Sequence, residues 1–327
     1  MKLHRIFPKL FVLAAMFSIQ SPGAGPRVVD LKLDADEDGL VFVYVHGFGG
    51  AKKSPEFCEN LQAFLDEEEV AAQVLNYEWD SVKVDPLKAG ASWLKAQAMA
   101  DEEASKFKLE VIDKLDAENR EYVVVGFSVG SRVVLKALEE SDKEWRGLRG
   151  VYFLGSAMTK DMTLERRSAM PEGMKITNYH SPKRDLVHRM AFNFMSEVSP
   201  GGQVGFDDVD VFENYPVSCA HAHKGVGVTI DYSGLAEAIA FLELHEAGLS
   251  IEGSTKLNWE TPVMEGDYWW NRIHVVQVDG IGAVELEQHT MRPGYYRALR
   301  VDGEGKRTRI ARGENLHAIL RELGVAE

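Results

Sequence analysis

Through residue 248 the chain alternates between two hydrophobic rhythms. Short, nearly continuous apolar runs rich in Val appear in "GLVFVYVHGFGG" (39–50), "VAAQVLNYEW" (70–79), "EYVVVGF" (121–127) and "LRGVYFLGSA" (148–157). Runs of this length, apolar on both alternating faces, predict buried strands. "GMKITNYHS" (173–181) and "VDVFENYPV" (209–217) predict two more. Between them, residues 85–119 are rich in Ala, Lys, Leu and Glu, and Trp93, Ala96, Ala100, Ala104, Phe107 and Val111 recur at helical spacing. "VGSRVVLKALEE" (129–140) predicts a second helix. "SGLAEAIAFLELHEAG" (233–248) predicts a third, with Ser233 as its cap and Gly248 as its stop. Strands alternating with helices predict a mostly parallel sheet covered on both faces, an α/β architecture over residues 28–248.

After Gly248 the rhythm changes. Residues 252–327 carry β-branched and aromatic residues in alternation, broken by Gly and Asp-Gly turns. Val301-Asp302-Gly303-Glu304-Gly305 predicts a hairpin, and "ENLHAILREL" (314–323) predicts a closing helix. The expectation is a small β-rich appendage, with Trp259, Trp269 and Trp270 forming either its core or an aromatic binding face.

The N-terminus follows neither rhythm. Lys2, Arg5 and Lys9 precede the apolar run Leu10–Ile19, and small residues follow. That layout predicts a signal peptide over residues 1–24 and export to the periplasm or beyond, with an uncleaved membrane anchor as the alternative. The run is too short to span a bilayer as a settled helix, so no integral membrane domain is expected in the mature chain. With 27% charged residues and 45% hydrophobic ones, the 327-residue chain has the composition of a folded globular protein. Its net charge of −14 excludes a general affinity for nucleic acid. Cys58 and Cys219 are the only cysteines, so no disulfide framework or zinc-binding CxxC pair exists, and whether the two pair is left open.

Candidate chemistry centres on Gly126-Phe127-Ser128-Val129-Gly130, a G-x-S-x-G pattern between a predicted strand and a predicted helix. That context is what a nucleophile elbow requires, with glycines where a side chain would strike the neighbouring strand or helix. The Val129 N–H would supply one oxyanion donor. "VYVHGFGG" ends an earlier strand and offers the second, the Phe48 N–H, with Gly47 allowing close approach. His46 reads as a structural residue of that loop rather than the base.

"VFVYVHGFGG" and "VVVGFSVGSRVVLKAL" resemble the α/β-hydrolase superfamily. More narrowly, "GFSVGSR", "FLGSAMTKD" and "NYHSPKRD" are similar to poorly characterised hydrolases with a G-[FY]-S-[LV]-G-[AS]-R elbow. The resemblance covers residues 38–248, and His180 interrupts the acid motif. It implies the chain order nucleophile, acid, histidine: Ser128, then Asp185, then a base among "CAHAH", either His223 or His221. Asp207 and Asp208 are fallback acids. The implied activity is that of a carboxylesterase or lipase-like serine hydrolase on a small-molecule or lipid ester. The alternatives are a thioesterase or amidase on the same triad, or a non-catalytic hydrolase-fold binding protein. No cofactor and no metal is implied. The segment with Met190, Phe192, Phe194 and Met195 is either a helix packed on the sheet or a lid over an acyl pocket.

Overall fold

The structure, a computed structural model, describes residues 39–47, 54–67, 72–81, 89–180, 198–216, 265–266, 270–278, 280–289, 295–313, 319 and 322–323. The predicted signal peptide, Phe48, Asp185, the Met190–Met195 segment, Cys219, His221, His223 and the predicted helix 233–248 lie outside these residues. So do Trp259 and Trp269.

Six parallel strands form the first sheet: β1 (Leu40–Val45), β2 (Ala72–Tyr77), β3 (Tyr122–Phe127), β4 (Leu148–Leu154), β5 (Ile176–His180) and β6 (Phe212–Pro216). Their order is β2-β1-β3-β4-β5-β6, and every neighbouring pair is parallel. All six residues of β1 are buried, as a strand covered on both faces demands. Val41, Val43 and Val45 face a core shared with α2 (Ala89–Phe107) and α4 (Gly130–Glu140), through Ala100, Ala104, Phe107 and Val133. Leu40, Phe42 and Tyr44 are buried on the opposite face, where α1 (Ser54–Glu67) packs beside β2 with Cys58, Leu61 and Leu65 inward. This is the α/β-hydrolase fold, with helices on both faces of a parallel sheet.

The chain leaves β1 outward to β2, then returns across it to β3 and continues the other way to β4. Consecutive connections therefore diverge at the C-terminal ends of β1 and β3. In open α/β sheets that divergence opens the crevice where ligands bind.

The long helix carries one local departure. A π-helical turn, Lys108–Ile112, follows α2 and leads into α3 (Asp113–Ala117). The extra residue in that turn puts both Val111 and Ile112 into the core. A two-pronged ion pair, Arg132 Nε and Nη2 to the Asp101 carboxylate at 2.7 and 2.8 Å, ties α4 to α2.

β5 and β6 are joined by side chains as well as by backbone. Asn178 donates to Asn214 Oδ1 at 2.9 Å, and Asn214 in turn exchanges hydrogen bonds with the backbone of Phe206. The short helix α5 (Gly201–Val204) lies so close that a Cβ on Gly202 would stand 2.3 Å from the Ser156 nitrogen.

The second sheet is antiparallel, in the order β11-β10-β9-β8-β7: β7 (Glu265–Gly266), β8 (Trp270–Val278), β9 (Gly282–His289), β10 (Tyr296–Val301) and β11 (Arg307–Gly313). Val284, Leu286, Ala298 and Ala311 are buried on its apolar face. Glu285 and Glu287 alternate onto the other face, where Arg307 and Arg297 pair with them. The predicted hairpin is present: Asp302 N–H donates to Lys306 O, and Asp302 Oδ1 accepts from the amides of Glu304 and Lys306. Of the closing helix, Ile319 and Leu323 are buried and joined by one helical hydrogen bond. Among the described residues no helix is long and apolar enough to cross a membrane.

Candidate active site

The elbow is built from backbone strain and close approach. β3 ends at Phe127, and Ser128 takes φ +53°, the left-handed region that costs a non-glycine residue about 1–2 kcal/mol. The surroundings hold it there. Ser128 N–H donates to Leu154 O at 3.0 Å, extending the β3–β4 ladder by one residue. Ser128 O accepts from the amides of Ala157 (3.1 Å) and Ser131 (3.3 Å), and Ser131 Oγ donates back to Gly126 O at 2.9 Å. Helix α4 starts at once, with Val129 at its N-cap. Its first turn is closed by bonds to the residues before it, Ser131 N–H to Ser128 O and Arg132 N–H to Val129 O at 2.9 Å, and the positive end of the helix dipole lies at the edge of the sheet that carries Ser128.

Each motif glycine marks a contact that a side chain would break. A Cβ on Gly126 would stand 2.7 Å from Ser131 Cα, and one on Gly130 would stand 2.1 Å from Val45 O. A Cβ on Gly47 would stand 2.7 Å from Ser128 Cβ. The loop after β1 therefore touches the turn at Ser128 directly.

His46 is fixed as a neutral residue. It is buried, its Nδ1–H donates to Gly47 O at 2.7 Å, and its Nε2 accepts from Trp79 N–H at 3.2 Å. That pair of bonds admits one tautomer. Burial lowers its pKa to about 4, against weaker raising influences from the Gly47 carbonyl, Glu103 and the Trp79 backbone. It therefore stays uncharged through neutral pH and does not supply an activity titration near pH 6–7.

His46 does supply a stability titration. The unfolded chain protonates this imidazole near pH 6.5 and the folded chain only near pH 4. Its contribution is complete above pH 6.5 and is lost as pH falls from 6.5 to 4, about 3 kcal/mol in all. Denaturant melts at pH 7 and pH 4.5 are expected to show the loss, and His46→Gln is expected to flatten that slope. His180, whose pKa burial also lowers, adds in the same direction.

The sequence-predicted residues fall into two groups. Ser128, Val129, Gly47, Gly126 and Gly130 come together at the C-terminal ends of β1 and β3. Phe48, Asp185, His221 and His223 lie outside the described residues. β5 ends at His180 and β6 at Pro216, both on the sheet edge that carries Ser128, because all the strands are parallel. His180 is buried at that edge, in the row that contains Gly155 and Ser128.

The fallback acids are corrected. Asp207 and Asp208 precede β6 and so belong to the opposite edge of the sheet. Asp207 pairs with Lys160 at 2.9 Å. Asp208 accepts from the Thr163 hydroxyl and from the amides of Asp210 and Val211, and the Thr163 bond is the main reason its carboxyl lies below its ordinary range. The Asp208 carboxylate is thus committed to the turn into β6, and that of Asp207 to Lys160. Cys58 is a buried free thiol whose pKa burial pushes up. Among the described residues no cluster of His, Cys, Asp and Glu could hold a metal.

Trp79 escaped the sequence reading. It stands just past β2, and its indole Nε1–H donates to His46 O at 2.8 Å while its ring stacks on the imidazole at 5.7 Å. Its partner is 33 residues away, and no local pattern announces such a pair.

No protein-family model and no curated protein matches this chain. Solved structures similar to parts of it include a poly(3-hydroxybutyrate) depolymerase, LpqC, from Bordetella parapertussis (11% identity, 65% of this chain and 82% of that one, TM-score 0.38). Esterase PE8 aligns at 16% identity over 63% of this chain and 91% of its own, with TM-score 0.38. TT1662 from Thermus thermophilus aligns at 12% identity over 64% and 88%, with TM-score 0.39.

Proposed function

We propose that the chain is a serine hydrolase of carboxylesterase or lipase-like type, acting through an acyl-enzyme on Ser128. The observation that carries this reading is Ser128 itself: a buried serine held at φ +53° between a parallel strand and a helix N-terminus, touching the His46-Gly47 loop at the divergence of the sheet. Strain of this kind persists only where the surroundings impose it, and it clusters at functional sites.

In this reading His223 or His221 takes the Ser128 proton as Oγ attacks the ester carbonyl. Asp185 holds the histidine's tautomer and stabilises the imidazolium. The amides of Val129 and Phe48 stabilise the oxyanion, the histidine returns its proton to the leaving alkoxide, and water releases the acyl group by the same steps. The chain positions after β5 and β6 support these roles, since both strands point at the edge that carries Ser128. The reaction needs no organic cofactor. The proposal extends to export through residues 1–24, a catalytic unit over 28–248 and an accessory unit over 252–327.

The test is active-site labelling. A fluorophosphonate probe is expected to modify Ser128 and abolish hydrolysis of short-chain aryl esters. Absence of labelling in a folded, full-length chain would leave a binding protein on a hydrolase fold. A panel of esters, thioesters and amides of increasing chain length then sets the substrate class.

A further inference from the structure

We infer that His180 is a substrate-binding residue of the proposed hydrolase, holding with Ser156 a hydroxyl group of the ester beside Ser128. This rests on the serine-hydrolase reading above.

Position comes first. Ser128 N–H donates to Leu154 O at 3.0 Å, and Gly155 N–H donates to Tyr179 O at 3.1 Å. Each ladder thus runs one step past the pairs Phe127–Leu154 and Leu154–Tyr179. Ser128, Gly155 and His180 therefore share one row at the C-terminal ends of β3, β4 and β5. Neighbouring strands lie about 4.8 Å apart, which sets the Cα atoms of Ser128 and His180 roughly 10 Å apart. Gly155 puts no side chain between them, so the gap is open to a short acyl or alkoxy group attached at Ser128.

Chemistry separates His180 from the other buried histidine of this edge. His46 uses both ring nitrogens, Nδ1 toward Gly47 O and Nε2 toward the Trp79 N–H, and is a structural residue. His180 is 8% exposed, and among the described residues its Nδ1 has no hydrogen-bond partner. Burial lowers its pKa, and the Asn178 carbonyl opposes that as the lesser influence. Neither influence is a charge, and the neutral imidazole carries one donor and one acceptor. Ser156, the residue after Gly155, is fully buried, and its Oγ also has no partner among the described residues. Its backbone is fixed beside the elbow: Gly202 N–H donates to Ser156 O at 3.0 Å, and Ala157 N–H donates to Ser128 O at 3.1 Å. Nearly all buried polar atoms have a partner, and two that lack one stand here at the ends of adjacent strands, next to a strained serine. Both groups are uncharged. That set suits a hydroxyl, which donates and accepts as they do, and it offers nothing to neutralise a carboxylate or an ammonium.

The test compares isosteric ester pairs on the full-length chain. An aryl glycolate against the aryl propionate places a hydroxyl on the acyl side. The monopropionate of ethylene glycol against propyl propionate places it on the alcohol side. The ratio of kcat/KM within each pair is measured in the parent and in His180→Phe, so the intrinsic reactivity of the esters cancels. His180→Phe removes a hydrogen bond to the hydroxyl, so the ratio is expected to fall about tenfold in one pair, which also fixes the side on which the hydroxyl sits. Ser156→Ala is expected to lower the same ratio. A purely structural role would slow both members of a pair alike and leave the ratio unchanged. A change of less than twofold in both pairs, in either variant, would overturn the inference. Should His180→Phe not fold, His180→Met, a flexible apolar side chain that fills irregular space, gives the same ratio. Ser128→Ala, run on both pairs, separates the two levels. If it hydrolyses them as the parent does, the serine-hydrolase reading fails and this inference with it. If it is inactive while neither ratio responds to His180→Phe, only the role of His180 fails.

Discussion

Replacing Ser128 with alanine is expected to lower ester hydrolysis by about 10⁴–10⁶-fold while leaving the fold intact. The size of the loss follows from the proposed chemistry. Without Oγ no acyl-enzyme forms, and what remains is the donor pair and substrate binding, which alone leave a small residual rate over water. Stability should barely change. Alanine retains the Cβ that packs against Gly47, and the backbone bonds to Leu154, Ala157 and Ser131 involve no side-chain atom. Ser128→Gly separates the two effects further. It relieves the φ +53° strain, worth about 1–2 kcal/mol, against a glycine entropy cost of about 0.5–1 kcal/mol. The glycine variant is therefore expected to be inactive and as stable as the parent, or up to about 1.5 kcal/mol more stable. Steady-state kinetics on a short aryl ester and a thermal melt of each variant measure both quantities. Substantial hydrolysis by Ser128→Ala, with that hydrolysis resistant to fluorophosphonate, would refute Ser128 as the nucleophile.

What the sequence made legible is what is encoded locally. The apolar runs at 40–45 and 122–127 had to be strands buried on two faces, because no polar position interrupts them. Gly-Phe-Ser-Val-Gly fixed the elbow because only glycines fit at Gly126 and Gly130. What stayed hidden is set by distance in the chain. The sheet order places β2 outside β1, and nothing in either strand specifies that. Asp208 looked available as an acid because it lies near a late strand. In a parallel sheet, however, a residue before a strand and one after it stand at opposite edges. The spacing of Ala104, Phe107 and Val111 reads as plain α-helix, although the chain inserts a π-helical turn that buries Ile112 as well. Trp79 was invisible for the same reason as the sheet order: its role exists only once β1 and β2 are neighbours.

Gly130→Ala is expected to destabilise the chain by about 3 kcal/mol or more and to remove activity with it. A Cβ there would meet Val45 O at 2.1 Å, His46 O at 2.6 Å and Val45 C at 2.8 Å, all backbone atoms of β1 and the loop after it. No side chain can rotate to make room. Relief would require moving α4 away from β1, which parts Val133 and Val134 from Val43 and Val45 in the core. It would also part Val129, whose N–H is one proposed oxyanion donor, from the His46-Gly47 loop. The loss of stability and the loss of catalysis therefore have one cause. Gly303→Ala provides the contrast. Gly303 lies in the β10–β11 turn, where an added Cβ meets nothing within 4 Å, and its φ is not in the left-handed range. That variant should melt within about 0.5 kcal/mol of the parent and keep full activity. Denaturant unfolding of the two variants at pH 7, with kcat measured under the same conditions, gives the comparison. A Gly130→Ala protein as stable and active as Gly303→Ala would mean that the elbow and the His46-Gly47 loop are not in contact as described.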